Sequence, residues 1–474
     1  MIHKYLIILS GNKFRKGEYT EYLILVYKKK MIHLFELDNK RFVVDVNSGL
    51  IHEIDNMVYD ILETDYYKKR ENIDTLLKKY SREDIDEACK ELKELEDNKM
   101  IYTEELNVTP KIKPVLKAMC LNVAHDCNLR CGYCFASQGD YQVQKSMMSL
   151  ETGKKALDYI LRNSGDRRNL EVDFFGGEPL MNFDVCKELV HYGRQEEKKY
   201  NKNFRFTITT NGVLLDDEKM EFIDEHFDNV VMSLDGRKEV NDNVRVTPKG
   251  TGSYDLIVPK FKNAVKKREN RSYFIRGTFT GQNLDFSEDV KHMRDLGFES
   301  LSMEPVVTEP GNIYEIKESD LDKVKDEYEK LYHLYKDSIG TDKEFNFFHF
   351  EIDLEHGPCV YKRISGCGAG NEYIAVTPEG DIYPCHQFVG EDEFKIGTLN
   401  EGITNTEIPD RLYESNVLAK EECSKCWAKY FCSGGCHANA WNFNEDFKKP
   451  YSIGCEMERK RIECAIRLKA ERLG

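Results

Sequence analysis

The chain has little that would take it into a membrane. Near its start the most apolar stretches, residues 5–9 and 22–27, fall far short of the roughly 18 residues a span needs, and no small-residue cleavage site follows either. Positive charge is also in deficit: 69 Lys and Arg stand against 84 Asp and Glu, a formal net charge of −15, so nothing electrostatic draws the chain to phosphate backbones or anionic lipid. Neither nucleic acid nor membrane is expected as a partner, and the protein reads as cytoplasmic. Without an export signal, an odd number of cysteines, 15, argues against a disulfide framework, because the cytosol keeps thiols reduced. These thiols must then be inert, reactive or metal-bound.

What is there divides readily, and 474 residues suffice for two or three domains. Residues 1–31 show neither caps nor a clean period and read as an extension. Apolar alternation over 32–37, 41–46 and 50–54, with turns at Asp38-Asn39 and Asn47-Ser48-Gly49, predicts three strands. Helical spacing follows at 57–62, 73–80 and 82–100, the last with Ser81 as N-cap. Residues 32–103 thus read as a winged-helix-like β3α3 domain, and 104–116, with two Pro interruptions at Pro110 and Pro114, as a linker. Between 117 and 340, apolar runs at 118–124, 170–175, 204–209, 230–234, 273–279 and 300–303 are each followed by a helical segment. Such alternation implies a parallel sheet, a partial barrel or a doubly wound one, with the active site at the C-terminal strand ends. Residues 341–474, dense in Cys and Gly, suggest a small domain held by metal rather than by a large core.

Two groups of cysteines concentrate the chemistry. His125-Asp126-Cys127-Asn128-Leu129-Arg130-Cys131-Gly132-Tyr133-Cys134-Phe135 follows the first barrel strand with the spacing C-x3-C-x2-C. Three thiolates on one short loop can each hold a different iron of a cubane and leave the fourth iron open for chemistry. A structural zinc would instead need a further ligand, such as His125. The second group comprises Cys367, Cys385, Cys423, Cys426, Cys432, Cys436 and Cys455, and Thr377-Pro378-Glu379-Gly380 reads as a hairpin turn that carries Cys385 into place. Its C-x2-C pair also suits a zinc ribbon. Cys89, Cys120, Cys186, Cys359 and Cys464 lie outside both groups and read for the most part as buried small hydrophobes.

In its first cluster the chain resembles the radical S-adenosylmethionine (radical SAM) superfamily, with Tyr133 at the aromatic position of C-x3-C-x-φ-C. The resemblance implies that Cys127, Cys131 and Cys134 hold a 4Fe-4S cluster, that SAM chelates its open iron, and that one electron cleaves SAM to a deoxyadenosyl radical. It also implies contacts to SAM. Gly176, Gly177 and Glu178 form a GGE-type turn after the second strand, where the glycines would let the backbone approach the methionine ammonium. Asn211 follows the third strand and Ser233 ends the fourth. Ser233 and Arg245 look like SAM contacts by likeness to anaerobic sulfatase-maturating enzymes, the arginine suiting a carboxylate. Tyr133, through its main chain, and Val306 are candidates against the adenine. The sheet is then expected to be a partial (β/α)6 TIM-type barrel.

The C-terminal cysteines resemble the SPASM pattern of radical SAM peptide-modifying enzymes. Family wiring gives Cys423, Cys426, Cys432 and Cys455 to one fully ligated 4Fe-4S cluster and Cys367, Cys385 and Cys436 to another, three clusters in all. The three-cysteine set is one ligand short: Cys359 could close it, or its iron could be open to a substrate thiolate, the reading favoured here. From Leu121 to Cys455 the chain is similar to maturases of SCIFF ("six cysteines in forty-five") peptides. That likeness implies an N-terminal domain that binds the leader of a ribosomally made, Cys-rich precursor, a cytosolic one-electron donor, and a thioether from Cys to Thr or another residue. Residues 50–54 and the helix over 82–100 are the candidate groove, and the helix's run of acidic residues disfavours DNA. Asp235 and Glu304 sit at strand ends, and neither is assigned as acid or base. A formylglycine-forming sulfatase maturase and a non-catalytic iron-sulfur electron-transfer scaffold are the alternatives.

Overall fold

The computed structural model describes residues 31–105, 114–268, 271–352, 364 and 366–473. Residues 1–30 of the expected extension, 106–113 of the linker, and Cys359 lie outside the described residues.

The N-terminal module is an antiparallel sheet of β1 (Ile32–Leu37), β2 (Lys40–Asp45) and β3 (Ile51–Ile54), in that order, followed by α1 (Asn56–Glu63), α2 (Tyr66–Lys69), α3 (Ile73–Leu77) and α4 (Arg82–Asp97). Asp55 and Ser81 cap α1 and α4 by accepting backbone N–H groups. Four helical pieces stand where the spacing predicted three, because left-handed residues at Asp65 and Arg70 cut out α2 as a single turn. The last helix stops at Asp97, short of the expected 100, where Lys99 and Tyr102 take positive φ. Val43, Val58, Ile61, Ile85 and Leu92 form the module's own core, while Phe35, Leu37, Phe42 and Val44 join the main core. Strand alternation thus gives the small sheet two buried faces.

β4 (Ala118–Ala124), β5 (Asn169–Gly176), β6 (Asn203–Thr210), β7 (Asn229–Ser233), β8 (Ser272–Phe279) and β9 (Ser300–Pro305) pair in parallel and in chain order. Chain order without reversal is the winding of a (β/α) barrel; a doubly wound sheet reverses at a switch point. Along β5, Leu170, Val172 and Phe174 are fully buried, whereas Asp173 and Phe175, on the opposite face, are only partly covered. α5 (Leu150–Asn163), α6 (Phe183–Tyr200), α7 (Asp217–His226), α8 (Lys238–Val244), α9 (Tyr254–Arg268), α10 (Phe286–Asp295) and α11 (Leu321–Ser338) are the intervening helices.

β10 (Asn346–Phe347) adds beside β9, and β11 (Tyr373–Val376) adds in parallel beside β4. β12 (Asp381–Tyr383), β13 (Gly397–Thr398) and β14 (Gly402–Ile403) continue the sheet antiparallel. Gly380, at φ +91, makes the turn from β11 to β12. This corrects the expectation that the C-terminal region relies on metal in place of a core. Its Ile374, Val376, Ile382, Phe388, Phe394 and Phe447 belong to the same apolar cluster as the barrel, because β11 pairs directly with β4. Among the described residues no helix is long and apolar enough to cross a membrane.

Candidate active site

β4 ends at Ala124, and the loop that carries Cys127, Cys131 and Cys134 is pinned on two sides. Arg130 and Gly132 donate their N–H groups to Val246 and Val244, at 2.7 and 2.9 Å, and Gly177 and Glu178 donate theirs to Ala124 and Asp126, at 2.8 and 2.9 Å. A Cβ on Gly176 would stand 2.3 Å from the Ala124 carbonyl oxygen, and one on Gly177 2.1 Å from that of Asp126. The two glycines therefore let the end of β5 pack directly against the backbone of β4 and the cluster loop.

Glu178 is 1% exposed and accepts hydrogen bonds from the Leu180 N–H (3.0 Å), the Thr210 hydroxyl (2.7 Å) and the Asn211 N–H (2.8 Å). Burial pushes its carboxyl up to about 7 against the pull of those donors. It fastens the end of β5 to that of β6, and so sets Asn211, whose side-chain amide donates to Asn128 (2.7 Å) and to the Cys127 sulfur (3.5 Å). Burial lifts the Cys127 thiol to about 12 and that of Cys131 to about 11, with neighbouring thiols adding to both rises. A cationic iron centre reverses this balance, since a coordinating thiol gives up its proton.

Asp235 is fully buried and fully engaged. Its Oδ1 accepts the Thr278 N–H (2.9 Å); its Oδ2 accepts the Tyr133 hydroxyl (2.7 Å) and Arg245 Nε (2.9 Å). These three donors hold the carboxylate in place. Arg245 has only 10% of its side chain exposed, so it is not a solvated surface arginine. Nε is spent on Asp235, and no described residue accepts from the terminal nitrogens, which leaves that fork for an outside carboxylate. Its positive charge also favours the thiolate of Cys131. Ser233 ends β7 half-buried on the same rim, and Val306, buried just past β9, donates its N–H to Phe279 at 2.9 Å.

Glu304, at the end of β9, keeps 26% of its side chain exposed and holds His349 Nε2 at 3.0 Å. Arg461 donates to His349 Nδ1 at 2.8 Å. An arginine can only donate, so Nδ1 carries the lone pair and Nε2–H donates to Glu304. Burial works to raise the Glu304 carboxyl, but His349, Arg276 and Arg461 hold it well below the ordinary carboxylate range. His349 and Arg461 gave no sequence signal, because each meets Glu304 only through the fold.

Cys423, Cys426, Cys432 and Cys455 line one cavity of about 240 Å³, together with Ser452 and Arg459. Cys385 is buried, and its thiol is pushed up first by burial and then by Cys436 and Cys367, both of which are exposed. The seven cysteines therefore lie in a four-residue and a three-residue group. Among the described residues no three His, Cys, Asp or Glu side chains converge on a single metal ion, His125 with the loop cysteines included. Cys89, Cys120, Cys186 and Cys464 are buried as expected of small hydrophobes.

Residues 121–297 match the Radical SAM superfamily. The match runs from β4 to α10. A cysteine-type anaerobic sulfatase-maturating enzyme of Clostridium novyi is 26% identical over 66% of this chain and 86% of its own length. The radical SAM cyclopropyl synthase TigE of Paramaledivibacter caminithermalis is 24% identical over 86% of this chain and 88% of its own. The crystal structure of Streptococcus suis SuiB bound to precursor peptide SuiA superposes with a TM-score of 0.51, at 18% identity, over 90% of this chain and 99% of that one. The Radical SAM superfamily match implies SAM and a 4Fe-4S cluster as cofactors.

Proposed function

We propose that the protein is a maturase that installs a thioether, from Cys to Thr or another residue, in a ribosomally made, Cys-rich precursor peptide. The observation that supports this reading is the separation of the three-cysteine group, whose Cys367 and Cys436 are exposed, from the four-cysteine cavity, which would offer a substrate thiol a place to bind. SAM and three 4Fe-4S clusters, when bound, would supply a deoxyadenosyl radical that takes hydrogen from a substrate carbon, and an open iron that holds the substrate sulfur. Cys127, Cys131 and Cys134 would hold the first cluster, with the Asn211 amide steadying the Cys127 sulfur. Arg245, fixed by Asp235, would take the SAM carboxylate, and Tyr133, Ser233 and Val306 would border it. Cys423, Cys426, Cys432 and Cys455 would hold an auxiliary cluster, and Cys367, Cys385 and Cys436 the other.

The leader would add to the N-terminal module. β3 is an edge strand of its sheet, and an extended peptide can pair with such an edge. The electron that starts each turnover would come from a one-electron donor. The sulfatase-maturating relative favours a second reading, oxidation of Cys or Ser to formylglycine, and the product distinguishes the two. The protein is reconstituted with iron and sulfide under anoxia and given SAM, a reductant and a Cys-rich precursor. A thioether makes the peptide lighter by two hydrogens and leaves one sulfur resistant to alkylation. An aldehyde that traps hydrazine, with every other thiol alkylated, overturns the thioether reading.

A further inference from the structure

Lys420 is 1% exposed, and among the described residues it has no carboxylate partner. Its Nζ donates to the Gly434 carbonyl oxygen at 2.8 Å, and no described residue accepts from the remaining N–H groups. Lys429 is equally buried but pairs with Glu105 at 2.6 Å, the usual solution for an ammonium removed from water. A buried ammonium without a counter-charge is unfavourable, so something negative belongs beside Lys420. Its place in the chain says what. Gly434 lies in Cys432-Ser433-Gly434-Gly435-Cys436, the short bridge between the four-cysteine group and the three-cysteine group. Burial pulls the ammonium's pKa below the ordinary lysine value, while Cys423, Cys432, Cys436 and Cys455, from both groups, are the neighbours that favour its charged form.

A cubane ligated by thiolates carries net negative charge, and its reduction potential follows that charge and its surroundings. We propose that Lys420 is the shared counter-cation of the two auxiliary clusters and raises their reduction potentials. It is a positioning residue, and this role rests on the maturase reading for its use. When a thioether forms, the substrate carbon gives one hydrogen atom to the deoxyadenosyl radical and the thiol gives up one proton. Closing the carbon–sulfur bond then leaves one electron, which reduces an auxiliary 4Fe-4S centre. A fixed positive charge between the clusters favours that reduction.

The test uses the full-length chain with Cys127, Cys131 and Cys134 all replaced by Ala, so that auxiliary clusters alone give a signal. Iron content and an EPR-monitored redox titration are compared for this background and for Lys420→Met, Lys420→Gln and Lys420→Arg on it. The expected result is unchanged iron, midpoint potentials moved negative for Met and Gln, and recovery with Arg. Loss of iron in Met and Gln, with Arg retaining it, also supports the counter-cation, as a requirement for assembly. Full iron with unmoved potentials in Lys420→Met overturns it. So does Lys420→Gln behaving as the parent, since Gln can still donate to Gly434 without a charge. Because none of these readings uses a product, a protein that makes no thioether but shows the shift loses the maturase reading and keeps the counter-cation.

Discussion

Tyr133 donates its hydroxyl to Asp235 at 2.7 Å, onto the oxygen that also holds Arg245 Nε at 2.9 Å. One carboxylate thus ties the aromatic residue of the cluster loop to the arginine that follows α8, and the guanidinium lies 5.6 Å from the ring of Tyr133. The arginine arrives with its fork already aimed, so little side-chain freedom is lost when it meets a carboxylate. Arg245→Lys keeps the charge and loses the planar fork. It is expected to weaken SAM binding by about ten- to hundredfold, the span of a charged hydrogen bond, with iron content unchanged. Equilibrium dialysis against SAM measures it, and wild-type affinity in the variant removes Arg245 from the site.

Gly177 tests the seam between the cluster loop and β5. A methyl group there meets the Asp126 carbonyl oxygen at 2.1 Å, and that atom is backbone, with no rotamer to move aside. Gly177→Ala is expected to destabilise the loop by roughly 1–3 kcal/mol and to shed iron from the first cluster while auxiliary iron stays bound. Iron counts on the reconstituted variant, with the triple Cys-to-Ala variant of that loop as the reference, check it.

The two C-terminal cysteine groups should separate two activities. Cys436→Ala, in the three-cysteine group, is expected to leave SAM cleavage to deoxyadenosine within about tenfold of wild type and to abolish the thioether. Cys127→Ala, which removes a ligand of the first cluster, is expected to abolish both. Deoxyadenosine and cross-linked peptide are quantified from the same reaction. Equal loss of both products in Cys436→Ala argues that the three-cysteine group supports the fold and not the cross-link.

Local sequence carried the framework of this molecule. A continuous apolar run put β4 at Ala118–Ala124, and the turn residue Gly380 marked the entry to β12, because both signals depend only on neighbours in the chain. The cysteines were legible for the same reason: their spacing is local. The duties of Asp235, Glu178 and the paired glycines were not. Asp235 and Glu304 look alike as acidic residues at strand ends, yet one is consumed by Thr278, Tyr133 and Arg245 and the other keeps an exposed face. Gly176 and Gly177 are needed, but the atoms that need them belong to β4 and its loop, which only the pairing of β4 with β5 brings near. Lys420 gave no signal at all, since burial without a carboxylate partner is a property of the fold.

Glu304 offers the sharpest dependence on pH. Its carboxyl is held well below the ordinary range by His349, with Arg276 and Arg461 adding to the effect over the opposing influence of burial. A depressed carboxyl contributes its interactions above the unfolded value and loses them only as pH falls through the folded one. The wild-type carboxylate therefore stays charged through mildly acidic conditions, and turnover should not fall on its account down to about pH 5. His349→Ala removes the closest partner, 3.0 Å away, and lets the pKa climb back toward about 4.3 or, with burial now less opposed, above it. If Glu304 touches the peptide substrate, the acid limb of cross-linking moves to higher pH in that variant, while SAM cleavage without peptide keeps its profile. Glu304→Gln should remove the limb altogether. Superimposable cross-linking profiles for wild type and His349→Ala would place Glu304 outside the substrate's reach.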